Sequence, residues 1–504
     1  MKSQNIYDFL IAGSGFAGSI TAMILAKSGF RVCLIEKESH PRFAIGESST
    51  PIADMILRDL AEQYNLPFLK KMSRYGEWQK HYPEITCGLK RGFSYYGHQK
   101  GETYVGDRKH SRELLVAASE NDYNSDTNWL RSDTDHFFVK QAEQFGVDYV
   151  DKTTLHSLER IAAEKRWVVQ AQSGQGSRKI SARWIIDATG SPQVSQKWFG
   201  TKSSAAGFET HSSALFSHFE GAEHWHHILE KENTFMDDYP YNSDFSALHH
   251  LLEEGWMWML RFNNNLLSAG ILFDETKPDQ ANRHGNPEKV WELVISQYPS
   301  LKKLFLNARQ AEDPGTWIAT KRLQRKLDKT FGDGWLALPH TSGFVDPLHS
   351  TGIAHTLTGI EKIADLFSEH ENNEEILEGL KKTERHFFKE LEFIDLLVSA
   401  CYMTRNNFSL FSACTMLYFA ASVTYEQARL KGDIPESFLC AGNPELFDAV
   451  QSIHQKIKKY LGDIPPDESE KLIREIRDRI KPYNKVGLMD PGANNMYRHT
   501  AVVL

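Results

Sequence analysis

Residues 7–36 constrain this chain more than any other stretch. Residues 7–12 form a short apolar run that stops at Gly13, 19–27 have the aliphatic and alanine content of a packed helix, and 31–36 are apolar again. Strand, glycine turn, helix and strand make the minimal unit of a doubly wound sheet with a right-handed crossover. The turn, Gly13-Ser-Gly15-Phe16-Ala17-Gly18, fits GxGxxG. Its first two glycines let backbone amides approach a pyrophosphate, and its third admits close helix packing. Glu36 follows at the spacing of an acid that accepts hydrogen bonds from an adenosine ribose. A dinucleotide site is therefore expected at the N-terminal end of an α/β fold.

At 504 residues the chain is too long for one ordinary core. Residues 133–145 read as a helix, 147–150 as a strand, 166–180 as a hairpin around Ser173-Gly-Gln-Gly, and 183–188 as another strand ending at a turn. From 196 to about 330 the composition becomes aromatic and histidine-rich, with alternating stretches at 256–262 and 266–273 that suit a second sheet. Past Gly332 the apolar, turn-rich style returns, and after about Ile360 the chain reads as helical. These shifts divide it into a discontinuous cofactor domain (1–195 and 331–365), an inserted substrate-facing sheet (196–330) and a C-terminal helical lobe (366–504).

A net charge of −8 argues against a nucleic-acid partner, because phosphate binding needs a basic face. The N-terminal run passes directly into the glycine turn, unlike a signal or transit peptide. Residues 408–424 lack charges but carry Ser, Thr and Tyr, so a buried or substrate-lining helix is expected there and no integral membrane span. The cysteines, Cys33, Cys87, Cys401, Cys414 and Cys440, show no metal-ligand spacing and read as reduced thiols of a cytoplasmic protein. His224, His226, His227, His249 and His250 lack the repeated spacing of metal ligands, so no metal is expected.

NAD and FAD share the glycine fingerprint, and other segments decide between them. Asp187-Ala-Thr-Gly190 is similar to the second short motif of FAD-binding monooxygenase-like proteins, and Arg131 with Asp135 resembles their arginine-containing segment. Gly343-Phe-Val-Asp346-Pro347 resembles the third, a turn that brings amides toward the flavin ring. Within this superfamily residues 7–360 resemble the flavin-dependent halogenases. Gly46-Glu-Ser48-Ser-Thr-Pro51 is similar to their GExxxP strap, and Gly255-Trp256-Met-Trp258-Met-Leu-Arg261 to the WxWxIP motif, with Arg261 where the family has proline. Lys90-Arg-Gly92 is similar to the lysine-glycine segment implicated in halogenation. Pro347-Leu-His349-Ser350-Thr351-Gly352 resembles the loop where halide meets backbone amides.

The resemblance implies a Rossmann-type FAD-binding domain of the aromatic-hydroxylase kind and a halogenase that uses reduced FAD, oxygen and chloride or bromide. It assigns Lys90 the catalytic role. FAD falls to Gly13, Gly15, Phe16, Ala17, Gly18, Glu36, Ser48, Arg131, Gly190, Asp346, Thr351, Gly352 and Ile353, halide to Thr351 and Gly352, and the substrate pocket to Trp256, Trp258 and His349. Lys90 beside Arg91 also suits a solvated pair, and Trp256 with Trp258 also suits ordinary packing on one face of a strand. The sequence carries no second dinucleotide fingerprint, so reduced flavin is expected from a separate reductase. Leu338-Pro339-His340 stands where the family has GDA, so the ribityl-binding aspartate has no counterpart. His349 replaces the glutamate of the tryptophan halogenases, which points away from free tryptophan toward phenol-type or carrier-bound substrates. The same fold also serves monooxygenases that hydroxylate small molecules or a tryptophan of a partner protein, and geranylgeranyl reductase-like oxidoreductases.

Overall fold

A computed structural model describes residues 6–174, 176–277, 285–460 and 463–501. The first strand, Tyr7–Ala12, pairs in parallel with Val32–Ile35 on one side and with Gly176–Asp187 on the other. Trp335–Ala337 extends the same sheet in parallel beyond Asp187, so a strand from late in the chain completes this layer. The helix between the first two strands, Phe16–Lys27, is buried along most of its length, because it lies between the sheet and the late helix Thr351–Glu369. The expected helix and strand after it are Arg131–Gln144 and Asp148–Val150. The hairpin forms from Arg166–Ser173 and Gly176–Asp187, with residue 175 of its turn outside the described residues.

Two glycines are needed where the backbone crowds itself. Gly13 has φ of +101°, and a Cβ on Gly18 would lie 1.9 Å from the Gly13 carbonyl oxygen. No larger residue fits either position without moving the helix away from the strand.

The second sheet differs from the expected insertion at 196–330. Its centre is the antiparallel run Ser212–Glu220, Leu267–Asp274, Gly255–Arg261 and Ala247–Leu252. Gly92–Gly97 then joins Ala247–Leu252 in parallel, followed by Glu113–Ala117 and finally by Met496–Tyr497. The sheet thus recruits strands from the first 195 residues and from the C-terminal region. The reason is pairing across distance. The aromatic run 92–97 is apolar on both faces and pairs with whichever buried strand has matching length, which composition along the chain does not reveal.

The C-terminal lobe is helical, led by Asn373–Thr404 and Phe408–Leu430. Asn372, Asn407 and Asn443 cap successive helices by accepting backbone N–H bonds, which supplies the sharp starts. Phe408–Leu430 is long and apolar enough to cross a membrane, but 89% of its most apolar window is buried inside the protein. It is a core helix packed beside the second sheet and the Pro51–Gln63 helix.

Candidate active site

The glycine turn faces a cluster of charged side chains. Arg131 binds Asp135 through two parallel bonds, Nε to Oδ1 at 2.9 Å and Nη2 to Oδ2 at 2.8 Å, and Asp135 Oδ1 accepts the Phe16 amide at 3.0 Å. Arg131 Nη2 lies 3.3 Å, and Arg42 Nη2 3.7 Å, from where a Cβ on Gly15 would sit. Two guanidinium groups therefore converge on a bare backbone turn, the geometry that suits a pyrophosphate. Glu36, at the end of the second strand, accepts Ser14 N–H at 3.0 Å and Arg42 Nη2 at 3.1 Å. Burial alone would raise its pKa, but Arg42 and the Ser14 and Glu38 amides together hold it below the usual carboxylate range.

Several buried polar atoms along this surface lack a protein partner, namely His40 Nδ1, Arg42 Nε, Tyr149 Oη and His340 Nδ1. They run from beside Glu36 to Gly190, whose Cβ position is 3.4 Å from His340. Glycine cradle, converging cations and orphaned donors fit a dinucleotide such as FAD. Arg42 and His40 were not singled out in the sequence, and His340 was named only as part of a departure from the family's turn. Arg42 carried a weak signal, an arginine six residues past the strand-end acid. His340 occupies the expected GDA turn, and burial pushes its imidazole down to about 3, so it faces the site as a neutral ring.

The strap ties this surface to Lys90. Arg131 Nη1 donates to the Ile45 and Gly46 carbonyls at 2.9 and 3.1 Å, and Ser350 Oγ donates to Ser48 Oγ at 3.1 Å. The Ser49 carbonyl accepts from Lys90 Nζ. Glu47 turns inward, with His218 Nε2 3.0 Å from its carboxylate. Lys90 ends the short strand Cys87–Lys90 and is fully buried, so it is not the solvated partner of Arg91, which binds Asp122 instead. Its ammonium lies 4.1 Å from the centre of the Phe93 ring.

The Phe93 ring begins an aromatic wall. Tyr95 stacks on His249 at 4.5 Å, Phe93 meets Tyr418 and Phe419 edge-on, and Phe411 meets Tyr95. His349 lies flat on Tyr418 at 4.4 Å, with Nε2 3.8 Å from Cys401 Sγ and Nδ1 unpartnered. Burial pushes the His349 imidazole down to about 3, so it presents a neutral ring. Trp256 and Trp258 share the face of the sheet that belongs to the main core, while Met257 and Met259 face the other way. Trp256 Nε1 donates to Tyr402 Oη at 2.9 Å, and Trp258 Nε1 to Ser268 Oγ at 3.2 Å. Both indoles are fixed in place by these hydrogen bonds.

Asp346 does not point its carboxylate toward the dinucleotide surface. It accepts Ser212 Oγ and Tyr402 Oη at 2.8 Å each and the Leu348 amide at 3.1 Å, which fixes the turn before Ser350. Thr351, Gly352 and Ile353 open the helix Thr351–Glu369 after Ser350, which has φ of +51°. Nothing lies within 4 Å of a Cβ built on Gly352, so the helix start has open space beside it. Arg261 is buried, 3.3 Å from Asp244 and bound to the Glu223 carbonyl at 2.8 Å. Asp244 in turn accepts the Trp225 and His226 amides at the start of a short helix. The five histidines do not converge. His249 faces the His349 side, His250 pairs with His98 at 2.9 Å on the opposite face, and the other three lie on or beside the short helix. A cavity of about 810 Å³ opens at the far end of the same sheet, beside Gly97, Lys100, Arg112, Val294, Arg405 and Phe408.

Comparison with known proteins adds a family. Residues 130–426 match the model of the tryptophan halogenases, and residues 8–204 match that of FAD-dependent oxidoreductases. The chain is 28% identical to the monodechloroaminopyrrolnitrin halogenase PrnC of Pseudomonas fluorescens, across 95% of this chain and 86% of that one. It is 26% identical to the tetracycline 7-halogenase of Kitasatospora aureofaciens, across 83% and 73%. Its fold matches halogenase PltM in complex with phloroglucinol and FAD, with a TM-score of 0.84, 23% identity and coverage of 98% and 100%.

Proposed function

The chain belongs to the tryptophan halogenase family of FAD-dependent oxidoreductases, and from that premise we propose that it halogenates a small, electron-rich aromatic substrate at Lys90, using chloride or bromide. The observation that carries this reading is the strap. One loop is bound by Arg131 beside the glycine turn, by Ser350 beside the open helix start, and by Lys90 beside the aromatic wall.

Gly13, Gly15, Phe16, Ala17 and Gly18 with Arg131 and Arg42 would hold the pyrophosphate of FAD, and Glu36 the ribose. When bound, reduced FAD supplies with oxygen the two-electron oxidant that turns halide into hypohalous acid. The amides of Thr351 and Gly352 form the positive end of a 19-residue helix, where a halide gains both hydrogen bonds and dipole. Lys90, walled from water, would receive the oxidant as a hydrogen-bond donor or as an amine that carries the halogen. Phe93, Tyr95 and Tyr418 with Trp256, Trp258 and neutral His349 offer flat apolar surfaces to a planar ring.

A phenol or aryl amine fits these walls, since their flat apolar faces match a planar ring. Phloroglucinol in the structurally similar PltM complex supports a phenol. A separate reductase would deliver the reduced flavin, and the unpaired cysteines suit the cytoplasm. The test is mass spectrometry of products formed with reduced FAD and bromide or chloride on a panel of phenols, indoles, pyrroles and carrier-tethered acyl groups. A bromine or chlorine isotope pattern supports the reading. Oxygenated product formed equally without halide replaces it with a hydroxylase.

A further inference from the structure

Lys90 has a partner that its own motif does not contain. In the two-stranded ribbon of Cys87–Lys90 and Asp126–Trp129, Lys90 stands directly across from Asp126. The Asp126 carboxyl is in hydrogen-bonding contact with that of Asp54, on the Pro51–Gln63 helix that follows the strap. Ser49 closes the group, since its carbonyl accepts from Lys90 Nζ and its hydroxyl donates to Asp54 Oδ1 at 3.1 Å. Lys90, Asp54 and Asp126 are 0%, 2% and 3% exposed, and Asp126 Oδ2 has no hydrogen-bond partner.

Two touching carboxyls this deep cannot both ionise beside one ammonium, because the second negative charge would be neither solvated nor paired. The pair therefore shares a proton, leaving one negative charge for Lys90. We propose that Asp126, backed by Asp54, is a positioning residue that sets the protonation of Lys90 through its charge. This rests on Lys90 carrying the halogenation.

The step balances within the site. It starts from Lys90 as the neutral amine. The amine nitrogen bonds the halogen of hypohalous acid as the oxygen–halogen bond breaks, and the departing hydroxide takes an amine proton to leave as water. The aromatic carbon then takes the halogen from nitrogen, and its proton ends on the amine. Nitrogen carries the two-electron oxidising equivalent from the hypohalous acid to the ring.

Burial pulls the Lys90 amine down to about 8 against the opposing pull of Asp126 and Asp54, while burial pushes Asp126 up to about 6 against Lys90. Burial and Asp126 together raise Asp54. The other groups facing the cluster are Arg58 on the Asp54 helix, His249 on the neighbouring strand and the Tyr418 hydroxyl on the Phe408–Leu430 helix. Burial keeps His249 neutral and the tyrosine protonated, so neither competes for the proton at neutral pH.

The test reads Lys90 directly in the flavin-free protein, by NMR titration of 13Cε-labelled lysine with Lys90→Met to assign its signal, and then in turnover as the pH profile of kcat. Asp126→Asn leaves the pair's single negative charge on Asp54, the weaker of the two influences on Lys90, and should lower the Lys90 midpoint, and the matching limb of the kcat profile, by about half a pH unit or more. Asp126→Glu should restore the wild-type midpoint. Asp54→Asn leaves Asp126 as an unshared carboxylate and should move the midpoint the opposite way, so it also serves if Asp126→Asn does not fold. A midpoint unmoved in either Asn variant overturns the proposal. If Lys90→Ala still halogenates, it is the reading of Lys90 itself that fails. If Lys90→Ala is inactive with normal FAD affinity while the Asn variants leave the midpoint in place, only the role of Asp126 fails.

Discussion

Replacing Arg131 with Met should damage both stability and cofactor binding, by amounts that the structure sets separately. The guanidinium is 7% exposed, makes two charge-assisted bonds to Asp135 and two to strap carbonyls, and stacks 4.8 Å from the Phe16 ring centre. Methionine preserves much of the stem's packing and removes every one of those bonds. Asp135 would remain fully buried, with the Phe16 amide as its hydrogen-bond donor and Arg42 Nη1, 4.0 Å away, as a weak counter-charge. Breaking one partner out of a buried pair costs about 3–5 kcal/mol, because the surviving charge is left uncompensated. Losing one charge-assisted bond to a phosphate costs about 1.5–3 kcal/mol, roughly a 10- to 100-fold weaker FAD affinity. The double variant Arg131→Met with Asp135→Asn should recover a large part of the stability and none of the affinity, since no charge is stranded but the cation is still gone. Denaturant unfolding of the flavin-free protein and fluorescence titration with FAD measure the two effects. A single variant within about 0.5 kcal/mol of wild type, the ordinary range of surface substitutions, would refute the argument that this pair is buried and coupled.

Gly18→Ala places a methyl group 1.9 Å from the Gly13 carbonyl and should cost about 1–3 kcal/mol as the helix is pushed off the strand, with FAD binding lost; an unchanged FAD titration would contradict it. Burial raises the Asp346 carboxyl to about 7, against the hydrogen bonds of Ser212 and Tyr402, whereas an unfolded aspartate titrates near ~3.9. Between those values the folded chain keeps a proton that the unfolded chain has lost, so this carboxyl's contribution to stability falls as the pH rises to 7. Asp346→Asn should therefore become more stable relative to wild type from pH 5 to pH 8, and a pH-independent difference in urea midpoint would count against it. The purified protein should oxidise NADH or NADPH only slowly, and rapid stoichiometric FAD reduction by either without a partner would rule out the need for a reductase.

The parts of this molecule legible in the sequence are those whose logic is local. The glycine turn, its helix and Glu36 lie within one βαβ unit, and Arg131 with Asp135 is an i, i+4 pair on one helix. Lys90 was visible as a lysine beside a glycine, but its burial was not, because Asp126 and Asp54 lie far to either side of it and each looks like an ordinary surface acid. Asp346 was visible as a turn residue, while the direction of its carboxylate depends on Ser212 and Tyr402, one from each of two other layers. The helix at 408–430 has no polar face to read because it is covered on nearly all sides. The second sheet was legible as strands but not as a sheet, since its order is fixed by pairings such as Ala247 with Phe93 and Met496 with Leu115.

The last of those pairings has a consequence for synthesis. The strand Glu113–Ala117 is buried along its whole length, and the neighbour on its outer edge is Met496–Tyr497. On a ribosome adding ~5–20 residues per second, the about 380 intervening residues take roughly 20–80 s to appear, during which that edge is unpaired. An apolar strand left open for so long is a template for pairing with another nascent chain. Lowering the translation rate lengthens that exposure and should lower the soluble yield.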